Sequence, residues 1–231
     1  MNDDAFITFR YAKFLALGRG PYYNPGEHVE GYTNFLMVPL MAAAWLVGGD
    51  NAVPPSAKVL GILAGCAAVL ASASLCRDLL RIILASDYER TAARWLCWLA
   101  AALVAASSAV ALNSTTGLET TLFCAFISLG LAAMARAATT RRWRYAGVFF
   151  ALAALTRPEG VAVFGAAALL HVLSARRSNR GYWQRDAAIV AGTCLAQLLF
   201  RTWAYDGEFL PNTWYAKASG MPMHTPRQYL F

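Results

Sequence analysis

The chain has 231 residues, 58% of them hydrophobic and only 14% charged, with a net charge of +7 and a mean hydropathy of +0.42. A soluble domain carries roughly a quarter charged residues, so this composition argues against an ordinary soluble fold and points to a membrane protein. The positive charge is not a nucleic-acid face: twelve of the twenty Lys and Arg residues fall in "RDLLRIILASDYERTAAR", "RAATTRRWR" and "RRSNRGYWQR", three short stretches between apolar runs. Nucleic-acid surfaces interleave base-reading polar groups with their charge; Arg-rich short loops instead mark the cytoplasmic side of a membrane.

The chain opens "MNDDAFITFRYAK", an amphipathic helix that begins with an acid pair, Asp3 and Asp4. Adjacent residues do not share a helix face. From these residues alone, Asn2 or Asp3 caps the helix while Asp4 meets the positive end of its dipole. The run "FLMVPLMAAAWLVG" (35–48) follows. It spans only about 21 Å as a helix, too little to cross, and is expected to lie along the outer surface. Crossing takes about 20 helical residues, and 55–76 is long enough, with Lys58 near one end to snorkel. The second candidate is 95–112, the third is 120–135, slightly short, and the last is 187–203, with Gln197 and Arg201 turned to protein or a cavity.

Between them, 145–174 is interrupted by "TRPEG", and both flanks are Arg-rich. It is expected to be a hairpin with both ends cytoplasmic, its arms only about 18–22 Å long. That places Arg157 and Glu159 below the outer membrane surface, where charges need a cavity or partners. Two ordinary short helices with a charged turn at the interface remain open as the other reading. Loops 77–94, 136–144 and 176–186 become cytoplasmic, and 113–118 and 204–231 face outward. The expected organisation is a first extracytoplasmic loop with juxtamembrane helices (1–54), a transmembrane bundle (55–204) and the start of a further outer loop (205–231). The expected fold is an all-α polytopic transmembrane helical bundle in the cytoplasmic (inner) membrane, its working face toward the periplasm or cell exterior.

The five cysteines lie in or beside apolar runs with no CxxC spacing, and the three histidines share no metal-ligand spacing. Nine of the thirteen acids fall on the expected outer segments: Asp3, Asp4, Glu27, Glu30, Asp50, Glu119, Glu159, Asp206 and Glu208. With Arg157 and Lys217 as candidate phosphate binders there, this pattern suits transfer from a lipid-phosphate donor. One carboxylate deprotonates an acceptor hydroxyl, and cations stabilise the departing phosphate. A divalent metal is compatible with an acid pair, but no complete ligand set is legible and no resident cofactor is named.

In order, "DDAFITFRYAK", "YYNPGEHVEGYTNF", "GLETTLF", "LTRPEG" and "FLPNTWYAK" resemble the membrane-embedded GT-C glycosyltransferases. The resemblance is to the bacterial branch similar to the mycobacterial terminal arabinofuranosyltransferase. It extends more distantly to lipid A aminoarabinose transferases and protein O-mannosyltransferases. It runs from Asp3 to Lys217, and the motif order is more specific than any single motif. The resemblance implies a polyprenyl-phosphate sugar donor, an extracytoplasmic glycan, lipid or protein acceptor, and a first outer loop with juxtamembrane helices. It implies that Asp3 is the base, that Asp4 supports it, and that Glu30 lies next to the donor sugar or acceptor. Glu119 would approach the same cavity, although it also reads as a helix N-cap partner. Arg157 would bind donor phosphate with Glu159 orienting it, and Lys217, with Asn212 and Tyr215, would be a second phosphate contact. Tyr215 also reads as an interfacial aromatic, as do Trp203 and Trp214; His28 is expected to face solvent.

The helix that precedes the acid pair in such families is absent, and the sequence stops in a polar loop at Phe231. Met1 is accordingly expected to be an internal start or the edge of a partial gene, and the chain a fragment. Two other classes stay open: a transporter or flippase for an anionic lipid, on the strength of the helix broken at "TRPEG" and the intramembrane Arg201, and a non-catalytic scaffold or remnant.

Overall fold

The computed structural model describes residues 2–84, 90–140, 142–174 and 180–208, and the regular elements among them are all helices, without a strand. Two helices precede the long apolar ones. Helix α1 (Asp4–Ala16) buries Ala5, Thr8, Phe9 and Ala12, a stripe at helical spacing. It stops at Gly18, whose φ of +71° suits a residue without Cβ. There Gly18 N–H bonds Leu15 O and Arg19 N–H bonds Phe14 O, which satisfies two end carbonyls. Helix α2 (Met37–Gly48) is too short to cross a membrane, as the sequence predicts for 35–48, and packs on α1 and the start of α3. Lys13 and the Trp45 indole hydrogen bond Asp50 just beyond α2, and the Lys13 bond holds its carboxyl below the ordinary range.

Among the described residues, three helices are long and apolar enough to cross a membrane: α3 (Val53–Ile83), α6 (Thr120–Thr140) and α9 (Arg180–Ala204), the last counted from Tyr182. The protein is a helical membrane protein. Pro54 and Pro55 start α3, in the first turn where no intrahelical donor is lost. The helix runs beyond the expected 55–76 because Arg77, Asp78 and Arg81 find partners on its last turns. Likewise α6 continues past 135 to Thr140, which removes the expected shortfall. The expected crossing at 95–112 is not one helix. It divides into α4 (Arg90–Ala105) and α5 (Ser108–Asn113), because Ser107 is extended (ψ 115°), the conformation that serines favour before a helix start.

Helix α7 (Ala146–Thr156) and helix α8 (Glu159–Ser174) form the expected hairpin. Arg157 precedes Pro158, and a residue before proline is pushed from the helical to the extended region; its φ and ψ are −151° and 137°. Gly160 lets α8 turn back tightly, since a Cβ there would lie 2.6 Å from the backbone of Ala154. The turn lies level with the start of α6, where the Arg157 guanidinium sits over the Phe123 ring.

Small residues hold the bundle together. The buried stripe of α3 is Ala57, Gly61, Ala64, Gly65, Ala68 and Ala71, and it packs on α6. A Cβ on Gly61 would collide with Ser114 O, so the 113–119 segment sits directly on α3. Large apolar side chains point outward instead, among them Leu63, Leu70, Leu103, Leu170 and Trp203. Small inside and large outside is the pattern of helices solvated by lipid. Among the described residues one core joins α1, α2 and the first halves of α3 and α6, a second joins α7, α8 and α9 to the second half of α6, and a smaller one gathers Tyr11, Tyr32 and Val38.

Candidate functional site

The expected outer segments meet at one end of the bundle. Asn2 N–H bonds Thr116 O at 3.0 Å, and Leu36 N–H bonds Leu155 O at 2.9 Å. The first ties the start of the chain to the 113–119 segment; the second ties the entry of α2 to the end of α7. The polar residues between them form one chain of contacts. Asn34 Nδ2 donates to Thr8 Oγ1 (3.0 Å) and to Glu119 Oε2 (3.1 Å). Glu119 Oε1 lies 3.8 Å from Arg157 Nε, and Arg157 Nη2 lies 3.7 Å from Glu159 Oε1. Both separations exceed hydrogen-bond length, so the guanidinium is held between two carboxylates by charge. Its side chain remains 35% exposed, enough for an approaching anion to reach it.

The acid pair lies at the start of α1, the helix that supplies Thr8 to this network. Asn2 Oδ1 accepts from Asp4 N–H at 3.3 Å, so Asn2 supplies the cap, and Asp3 makes no side-chain capping bond. Both Asp3 and Asp4 are exposed. Asp4 is one turn from Thr8 on the same side of α1, the spacing at which helical side chains are neighbours. Glu119 immediately precedes α6, and its carbonyl accepts from Phe123 N–H (2.9 Å) while its carboxylate reaches Asn34. Its carbonyl thus serves the helix start, while its carboxylate faces Asn34 and Arg157.

Glu30 is placed differently from the other acids. It is 4% exposed, and Arg201 of α9 donates from Nε to Oε2 (2.9 Å) and Oε1 (3.2 Å). Burial pushes the Glu30 carboxyl up to about 7, with the charge and hydrogen bond of Arg201 pulling the other way. The intramembrane Arg201 expected to face protein does so, and its Nη2 is buried with no hydrogen-bond partner among the described residues. Beside the pair, Tyr205 Oη donates to Pro21 O (3.1 Å) and lies 2.9 Å from Tyr32 Oη. Tyr11 Oη donates to Val29 O and accepts from Gly31 N–H, each at 2.8 Å. Burial raises all three phenols, Tyr11 to about 12, and keeps them protonated as donors. These contacts fasten the 21–32 loop to α1 and α9.

The half-exposed His28 stacks on Tyr22 and lies 3.3 Å from Asp206 Oδ1. Lys217, Asn212, Tyr215 and Trp214 lie outside the described residues. Thr8, Asn34, Tyr32 and Tyr205 were not singled out from the sequence, although each joins segments far apart in the chain. Their signal was weak: one amide in "GYTNF" and tyrosines in an aromatic-rich stretch. Among the described residues, no group of three or more His, Cys, Asp or Glu side chains is placed to hold a metal ion. Comparison with protein-family models, curated proteins and solved structures finds no match to this chain.

Proposed function

We propose that the chain is part or all of a glycosyltransferase that moves a sugar from a polyprenyl-phosphate donor to an extracytoplasmic glycan, lipid or protein, of arabinofuranosyl or mannosyl type. The reading rests on the Asn34–Glu119–Arg157 network at one end of an apolar bundle, beside the 113–119 segment to which the start of the chain is bonded through Asn2. In this reading the Arg-rich loops stay cytoplasmic and that end faces outward from the inner membrane. A lipid-linked donor then reaches it through the bilayer, without a nucleotide sugar from the cytosol.

In this mechanism Asp3 takes the proton of the acceptor hydroxyl as its oxygen bonds to the anomeric carbon. The bond from that carbon to the phosphate oxygen breaks on the opposite face, with inversion, and its electron pair leaves with polyprenyl phosphate. Arg157 stabilises the charge that develops on the phosphate, and Glu119 and Glu159 hold the guanidinium in place. Asp4 supports Asp3, and Lys217, Asn212 and Tyr215 supply a second phosphate contact. Glu30 acts by fastening the loop to α9 through Arg201.

The test is sugar transfer from radiolabelled polyprenyl-phosphate arabinofuranose or mannose in membranes that contain the chain. Asp3→Asn is expected to lower transfer roughly a hundredfold or more with membrane insertion unchanged. Near wild-type turnover in that variant rejects Asp3 as the base. A second reading, a flippase for an anionic lipid, is favoured by the helix broken at Pro158 and by the buried Arg201. Sugar transfer coupled to release of polyprenyl phosphate supports the enzyme; lipid crossing the bilayer without release supports the flippase.

A further inference from the structure

The opposite end of the bundle carries a second charged assembly that the transfer chemistry does not use. Asp78, near the end of α3, is fully buried. Three arginines converge on it: Arg77 Nη2 is 3.3 Å from Oδ2, Arg81 Nη1 is 3.3 Å from Oδ1, and Arg136 Nη1, from α6, is 3.8 Å from Oδ2. Arg77 Nη2 also donates to Ser74 Oγ at 2.8 Å. The arginine side chains are 39%, 57% and 39% exposed, so each keeps donors at the surface. Among the described residues, three positive charges against one negative leave two in excess. A carboxylate that only neutralised a helix end would need one partner; this one gathers guanidinia from two helices onto a single patch.

The wall beside the patch is apolar. Cys97 of α4 touches Cys76 of α3, which brings α4 alongside the arginines. There Trp95 and Trp98 of α4 and Ile82 of α3 are 70%, 60% and 49% exposed. Tryptophan rings at such a level sit where headgroups meet acyl chains.

We infer that the Arg77–Arg81–Arg136 patch binds the phosphate of an anionic membrane phospholipid, whose acyl chains lie along α3 and α4. A phosphodiester supplies the negative charge that the excess guanidinia lack, with oxygens that accept from the planar forks. Free phosphate would meet the same charge but leave the apolar wall uncovered, whereas a lipid covers both. Basic pockets between membrane helices select anionic headgroups on this principle.

The test uses the full chain in phosphatidylcholine nanodiscs titrated with phosphatidylglycerol, with bound lipid counted by native mass spectrometry. Phosphatidylglycerol is expected to be retained over phosphatidylcholine, and the preference should shrink in high salt. Arg81→Gln and Arg136→Gln should each weaken it about fivefold, the effect of one basic side chain near a charged surface, and the double variant about 25-fold. Arg19→Gln, at the other end of the molecule, should leave it unchanged. Equal retention of the two lipids by the wild-type chain overturns the inference. So does an undiminished preference in the double variant, or displacement of the lipid by inorganic phosphate at equal concentration. If a variant fails to fold, the wild-type lipid preference and its salt dependence still decide.

Discussion

Each end of the bundle buries a carboxylate against arginine, yet the two arrangements differ in where the positive charge goes. Glu30 and its single partner Arg201 are both buried, and 171 residues separate them in sequence. Asp78 is more deeply buried, but its three partners reach back to the surface. The first pair is sealed from the surface and holds a loop to a helix. The second organises exposed guanidinia and leaves charge to spare. The same ion pair therefore locks structure at one end and displays charge at the other, and the exposure of the cation decides which.

The largest expected effect breaks the buried pair. At pH 8, Arg201→Leu leaves a buried carboxylate without its cation and should cost about 3–5 kcal/mol, read from denaturation in detergent. Replacing both partners, Glu30→Leu with Arg201→Leu, should recover most of that loss. If the double variant is as unstable as the single one, the pair is not the cause. Asp78→Asn should cost less, about 1–3 kcal/mol, because its arginines can turn to water when their carboxylate is gone. A loss at Asp78 larger than the loss at Arg201 would reverse the comparison.

The smallest effect is a pH dependence confined to the Glu30 end. Folding raises this carboxyl from its ordinary 4.5 to about 7, so the folded chain holds the proton more tightly than the unfolded chain. Its contribution to stability is therefore complete below pH 4.5 and is lost as pH rises through 7. Between pH 6 and pH 8 the change is about 1 kcal/mol. Melting the wild-type chain and Glu30→Gln across that interval should show the slope in the first and not in the second. An identical slope in both would assign it to another group.

Arg157 occupies a middle position between these two arrangements. It lies between Glu119 and Glu159 at charge-pairing distance and is partly exposed, so it is neither sealed like Arg201 nor displayed like Arg81. That combination suits a cation that must meet a phosphate and release it. Asp3, with an exposed carboxylate and no capping bond, has the complementary freedom for proton transfer.

Local chemistry made much of this legible in the sequence. Apolar runs marked the long helices, Pro158 marked the break between α7 and α8, and the polar ends of those runs marked where acids and arginines collect. Helix ends were less legible, because they depend on partners. The last turns of α3 continue through Arg77 and Arg81, which bond an aspartate that composition would have counted only as a charge. The interruption at Ser107 was equally hidden, since the Ser107–Ser108 pair lies between apolar stretches. Only the tertiary structure decided which charges meet. Asn34 joins Thr8 to Glu119, and Glu30 finds Arg201 across most of the chain. A one-dimensional pattern records the desolvation each segment will accept, because that is a property of its own side chains. It does not record which buried charge answers which, because that depends on helices packed through alanines and glycines that carry no label for their partners.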